Sequence, residues 1–119
     1  MPYNQQLADR VRELIAEKED RVEEKGMFGG LSFMVNDKIC VAVKSDRILV
    51  RIDPAKHEKE SAKDGCSPMV HSGREMKGFI FVDEELLHTK KQLRYWVDQA
   101  LAFNPKAGLS KSSAPKKRK

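Results

Sequence analysis

Two stretches of this sequence carry residue types that could do chemistry. Lys25-Gly26-Met27-Phe28-Gly29-Gly30 sets a lysine beside a glycine pair, the raw material of a phosphate cradle. Cys66-Ser67-Pro68, with His71 close behind, supplies the types of a nucleophile and its base. A phosphate loop needs G-x-x-x-x-G-K-[ST] feeding a helix, so that backbone N–H groups and the helix N-terminus face the anion. Here the lysine precedes the glycines, and the following Leu31-Ser32-Phe33-Met34-Val35 alternates like a strand. The G-x-G-x-x-G spacing of a dinucleotide site is also missing. Gly29-Gly30 therefore reads as a hairpin turn or bulge, where positive φ is cheap only for glycine. Covalent catalysis requires a third group to orient the base, and nearness in sequence does not bring side chains together, so Cys66 and His71 read as bystanders. His57, His71 and His88 are scattered among polar residues and read as surface histidines; no paired Cys/His spacing offers a zinc site. The expectation is a chain with no catalytic residue, no metal and no cofactor, and hence not an enzyme. Glu84-Glu85 beside Asp83 read as a solvated turn.

The binding candidates are cationic. Arg51 and Lys77 flank apolar strand segments, and Arg74 and Lys77 share a glycine-punctuated loop. Loops on a rigid scaffold often carry binding residues. Two readings stand: ion pairs or hydrogen bonds that fasten the loop to the sheet, or an anion-binding patch with Lys25 as a fourth member. A separate cluster, Lys116-Lys117-Arg118-Lys119, ends the chain.

Those residues need elements to hold them. Leu7, Val11, Leu14 and Ile15 recur at helical spacing, which predicts a helix over residues 4–18 with Asn4 as its cap. From Val22 to Ile52 the period changes to two, punctuated by Asn36-Asp37 and Ser45-Asp46. Short turn-forming links join antiparallel neighbours, so this region predicts a meander of up to four strands, the first over residues 22–28. Asp53-Pro54 opens a short, polar, exposed helix that stops near Gly65. Residues 66–77 read as a loop, with at most a short extended piece at Met69-Val70, and residues 78–82 as a further strand. Thr89 and Gln92 form a capping box that starts a helix whose stripe is Leu93, Trp96, Val97, Ala100 and Leu101. A lone tryptophan among leucines reads as core.

The 119 residues suit one domain. The net charge of +5 conceals an asymmetry. Residues 1–104 hold 17 basic and 18 acidic side chains, a net of −1, whereas residues 105–119 hold 6 basic and no acidic ones, so −1 and +6 give the total. Residues 1–104 read as a nearly neutral folded domain and residues 105–119 as a basic disordered tail with almost nothing to bury. The two cysteines, Cys40 and Cys66, read as reduced thiols. No apolar run approaches the ~20 residues of a membrane span, and the N-terminus lacks an apolar signal region, so the expectation is a cytoplasmic protein without membrane contact.

Several motifs in order resemble the TfoX/Sxy competence-regulator family, in its N-terminal domain. Lys25 to Gly30 match its K/R-x-M-F-G-G signature, Leu49-Val50-Arg51 its LVR strand, and Gly73-Arg74 with Met76-Lys77-Gly78 its G-R-x-M-K-G loop. Phe79-Ile80-Phe81-Val82-Asp83 resemble the aromatic strand that follows, and Leu93, Trp96, Val97 and Ala100 its closing helix. Arg51, Arg74 and Lys77 fall within these signature segments. The resemblance implies a bacterial α+β domain of the secretion-chaperone-like kind, an antiparallel sheet flanked by N- and C-terminal helices. It implies a regulatory or interaction role, in competence or transcription, with an unknown protein partner. Two-domain members carry a helical second domain where this chain has its basic tail, so the rival reading is an accessory protein that binds nucleic acid weakly and non-specifically through the tail.

One further expectation concerns self-association. The alternate strand positions Met34, Cys40, Ala42 and Leu49 are weakly polar, which predicts a half-apolar outer sheet face. A homodimer with Met34, Cys40 and Leu49 near its interface would cover it, as the resemblance to folds that often dimerise also implies. The competing arrangement packs one helix on each sheet face.

Overall fold

The computed structural model describes residues 3–27 and 30–107. Phe28, Gly29 and the tail cluster Lys116, Lys117, Arg118 and Lys119 lie outside the described residues. The chain order is α1 (Gln5–Ala16), β1 (Val22–Met27), β2 (Gly30–Val35), β3 (Lys38–Val43), β4 (Arg47–Arg51), α2 (His57–Ser61), β5 (Cys66–His71), β6 (Arg74–Asp83) and α3 (Lys90–Phe103). The strands form one antiparallel sheet in the order β1-β2-β3-β4-β6-β5, so the fold is α+β.

Local chemistry sets most of the boundaries. The Leu7 N–H donates to the Asn4 side chain at 3.0 Å and starts α1. At α3 the Gln92 N–H donates to Thr89 Oγ1 at 3.0 Å while the Thr89 N–H donates to Gln92 Oε1 at 2.9 Å, the reciprocal capping box. Asn36 and Asp37 both adopt positive φ, 55° and 65°, which turns β2 tightly into β3. Gly30 opens β2 opposite Met27. A Cβ there would press into the Val43 carbonyl oxygen, so close backbone approach between neighbouring strands demands this glycine.

Both long helices lie on one face of the sheet. Leu7, Val11 and Ile15 of α1 and Leu93, Trp96 and Val97 of α3 share a single core with Phe33, Val41, Val50 and Ile80 of the strands. Arg10 donates to the Leu87 carbonyl at 2.7 Å, and Arg94 pairs with Glu17 at 2.9 Å, tying the two helices together. Past α3, buried Asn104 donates to the Val35 carbonyl at 3.0 Å and receives Asn36 Nδ2 at 2.9 Å, which pins the end of the fold to the β2–β3 turn. The arrangement with one helix on each face is thus excluded for α1 and α3.

Three expectations need correction. Residues 66–77 are a hairpin, not a loop: β5 pairs with β6 around Ser72-Gly73, whose φ values are 53° and 76°. The register shifts between Pro68 and Met69, and Gly78 sits at φ 88°, so two irregularities erase the alternation by which a strand is recognised. The polar helix α2 is short but not merely exposed, because it buries His57 and Glu60. Cys40 does not share the outer face with Met34 and Leu49. Ile39 pairs with Met34 and Val41 with Phe33, leaving Cys40 as the extra residue of a bulge that turns it into the helix-side core.

Candidate binding face

Opposite the helices the sheet carries a second apolar cluster. Met34, Ile39, Ala42 and Leu49 are buried there, with Met69, Phe79 and Phe81 half-buried around them. Every member comes from a strand. Period two explains most of the set, because Phe33, Val41, Val50 and Ile80 point to the helices and their alternates point away, while the bulge at Cys40 turns Ile39 out to join them. Long cationic side chains lie across the aromatic members. The Arg47 guanidinium lies 3.9 Å from the Phe81 ring centroid and the Lys44 ammonium 5.8 Å from it. Arg51 lies 5.1 Å from the Phe79 centroid. Partial burial lowers the Arg51 pKa from its ordinary value, the cost of holding a charge against the sheet.

The candidate cations separate along the strands. Lys25 pairs across from Ser32, and Ser32 from Ala42, which sets Lys25 on this same face. Arg51 pairs with Phe79 there. Met69 pairs with Met76, and Arg74 lies two residues from Met76, so Arg74 belongs to that side of the hairpin. Lys77 turns toward α2, where it meets Glu58 at 3.5 Å with both side chains exposed. Three of the four predicted folded-domain cations thus share one face and the fourth does not. Arg47 with Phe79 and Phe81 escaped the sequence reading. Their signal was present, Arg47 and Arg51 alternating with Leu49 and Phe79 with Phe81, but it needs the β4–β6 pairing to bring the two rows together.

The nucleophile and histidine candidates resolve differently. Cys66 and His71 are the two ends of β5, roughly 16 Å apart at strand rise. The His71 side chain lies outside the described part. Burial pushes the Cys66 thiol up to about 11 and the Cys40 thiol up to about 12, away from nucleophilic character. His88 is exposed, as expected, but His57 is fully buried, contrary to the surface reading. The Gly78 N–H donates to His57 Nδ1 at 2.9 Å, so Nε2 carries the proton and donates to Glu75 Oε2 at 2.5 Å. Both ring nitrogens are committed, and the imidazole clasps α2 to the bulged strand β6. On the far side of α2, Tyr95 donates to buried Glu60 at 2.9 Å and Lys63 pairs with Glu60 at 2.7 Å. Among the described residues no group of three or more His, Cys, Asp or Glu side chains is placed to hold a metal, and no helix is long and apolar enough to cross a membrane.

The geometry thus offers an apolar, cation-crossed sheet face, with both ring nitrogens of His57 spent on structure. Comparison with known proteins adds one result: the TfoX N-terminal domain matches residues 13–104, most of the chain. No curated protein matches, and no solved structure does. The chain belongs to the TfoX N-terminal domain family.

Proposed function

We propose that this member of the TfoX N-terminal domain family is a non-catalytic regulatory domain that binds another macromolecule through its helix-free sheet face. The role that fits its family is control of competence or of transcription. One observation carries the reading: the cluster of Met34, Ile39, Leu49, Phe79 and Phe81 has no helix over it among the described residues. Met34, Ile39 and Leu49 are buried, but Phe79 and Phe81 above them are only half-buried and crossed by Arg51 and Arg47, and phenylalanine and arginine are both enriched at contact surfaces. The test is genetic. Deleting the gene changes transcript levels of DNA-uptake genes in the host, the wild-type chain restores them, and Phe81→Ser does not. Unchanged transcripts on deletion contradict the regulatory reading.

A second form of this reading is a homodimer across the face with Met34 and Leu49 near its interface, against which the cations of β4 count. Sedimentation equilibrium checks it: a 13.6 kDa species at every concentration refutes the dimer.

A further inference from the structure

The side chains on the helix-free face specify what chemistry it suits, and the inference drawn from them rests on that face being a binding surface. We infer that it is a platform for single-stranded nucleic acid, with bases stacking on Phe79 and Phe81 and phosphates met by Lys25, Arg47 and Arg74.

Charge is the first argument. Residues 1–104 are nearly neutral, 17 basic against 18 acidic. Yet the strand register gathers Lys25, Arg47, Arg51 and Arg74 on this face, with Lys44 reaching over Phe81, against Glu23 and Asp83, while Asp20 and Asp37 lie with Arg21 around Met34 at the β1–β2 end. The partner this excess complements is an anion.

The rings are the second argument. Phe79 and Phe81 alternate on one strand, so they stand on the same side about 6.8 Å apart. Both flank the Arg-bearing strand β4, and the Arg47 guanidinium already lies 3.9 Å from the Phe81 centroid. Splayed bases stack on aromatic rings and on guanidinium planes alike, and an antiparallel sheet presenting two rings is one way proteins hold two successive bases. An acidic peptide would use the cations and leave the rings idle. A duplex is disfavoured because its bases stay stacked on one another and leave Phe79 and Phe81 nothing to stack on. A second copy stacked by a twofold axis would bring the cations of central β4 toward their own images, a like-charge contact that opposes pairing.

The experiment is fluorescence anisotropy of the full chain with labelled oligothymidylate and oligouridylate. Phe79→Leu and Phe81→Leu keep apolar bulk over the cluster while removing the rings. Each weakens binding by at least about fivefold, the low end of base–aromatic stacking. A variant with Lys116, Lys117, Arg118 and Lys119 changed to Gln keeps this ring dependence. Trp96 fluorescence verifies folding. Should the leucine variants unfold, Arg47→Gln and Lys25→Gln each lower the slope of log affinity against log salt by about 0.7, one single-strand phosphate contact apiece. No oligonucleotide binding overturns the inference. So does binding that ignores the rings and the face cations and disappears with the tail charges. A dimer that Phe81→Leu dissociates also overturns the nucleic-acid partner, while leaving the face standing as a binding surface; absence of both kinds of binding removes support from both.

Discussion

Replacing His57 by Leu isolates the clasp between α2 and β6. The wild-type ring accepts the buried Gly78 N–H at 2.9 Å, and the Gly78 carbonyl accepts the Ile52 N–H at 2.7 Å, so both backbone groups at the bulge are satisfied. Leucine has similar bulk but no acceptor, which strands the Gly78 N–H away from water. A buried donor left unpaired costs about 1–3 kcal/mol. Glu75 also loses its partner, but its side chain is 44% exposed and water replaces the bond, so that loss adds under about 1 kcal/mol. His57→Leu should therefore destabilise by about 1–4 kcal/mol. His57→Asn places a carbonyl oxygen near the position of Nδ1 and should recover about 1 kcal/mol of that. Urea denaturation followed by Trp96 fluorescence gives the free energies, and hydrogen exchange at the Gly78 amide reports the bond itself. A His57→Leu variant within 0.5 kcal/mol of wild type by the error of such measurements (roughly a tenth of the total), or one whose Gly78 amide stays fully protected, refutes the reasoning.

Trp96→Ala should cost about 3–5 kcal/mol, because the indole is 4% exposed within the helix–sheet core; a native indole freely quenched by iodide would contradict this. Cys40 should resist alkylation in the native protein and react only on unfolding, with Cys66 reacting slowly, as their raised pKa values and burial require; rapid labelling of Cys40 at neutral pH would count against the bulge. Hydrogen bonds from Arg94 and Arg12 hold the Glu17 and Glu24 carboxyls below their ordinary 4.5. The unfolded chain binds more protons there, so this stabilisation is full above about pH 4.5 and fades as pH falls through the lowered folded values; Arg12→Gln should flatten the acid limb of the stability curve, and an unchanged limb would remove Glu24 from it.

The sequence reading succeeded where one local signal acts alone. The caps at Asn4 and Thr89, the Asn36-Asp37 turn and the stripe from Leu93 to Leu101 were legible because each depends on residues a few positions apart. It failed where irregular backbone or distant pairing decides. The 66–77 hairpin was hidden by the register shift at Pro68 and by Gly78, and Cys40 changed sides through a single extra residue. His57 lay in a polar run, and only the approach of β6, eighteen to twenty-one positions on, makes it a buried clasp. The candidate face was half visible. Lys25, Arg51 and Arg74 could be chosen by residue type and by their signature segments, but their shared side with Phe79 and Phe81 follows from a strand order in which β6, not β5, lies beside β4.

The central claim is that this helix-free face meets a partner. Site-specific photo-crosslinking in the host tests it most directly, with benzoylphenylalanine in place of Phe81 and, as a control, in place of the exposed Glu13 on α1. The account predicts a discrete macromolecular adduct from position 81 that is absent from position 13. No adduct from position 81, or the same adducts from both positions, would contradict it.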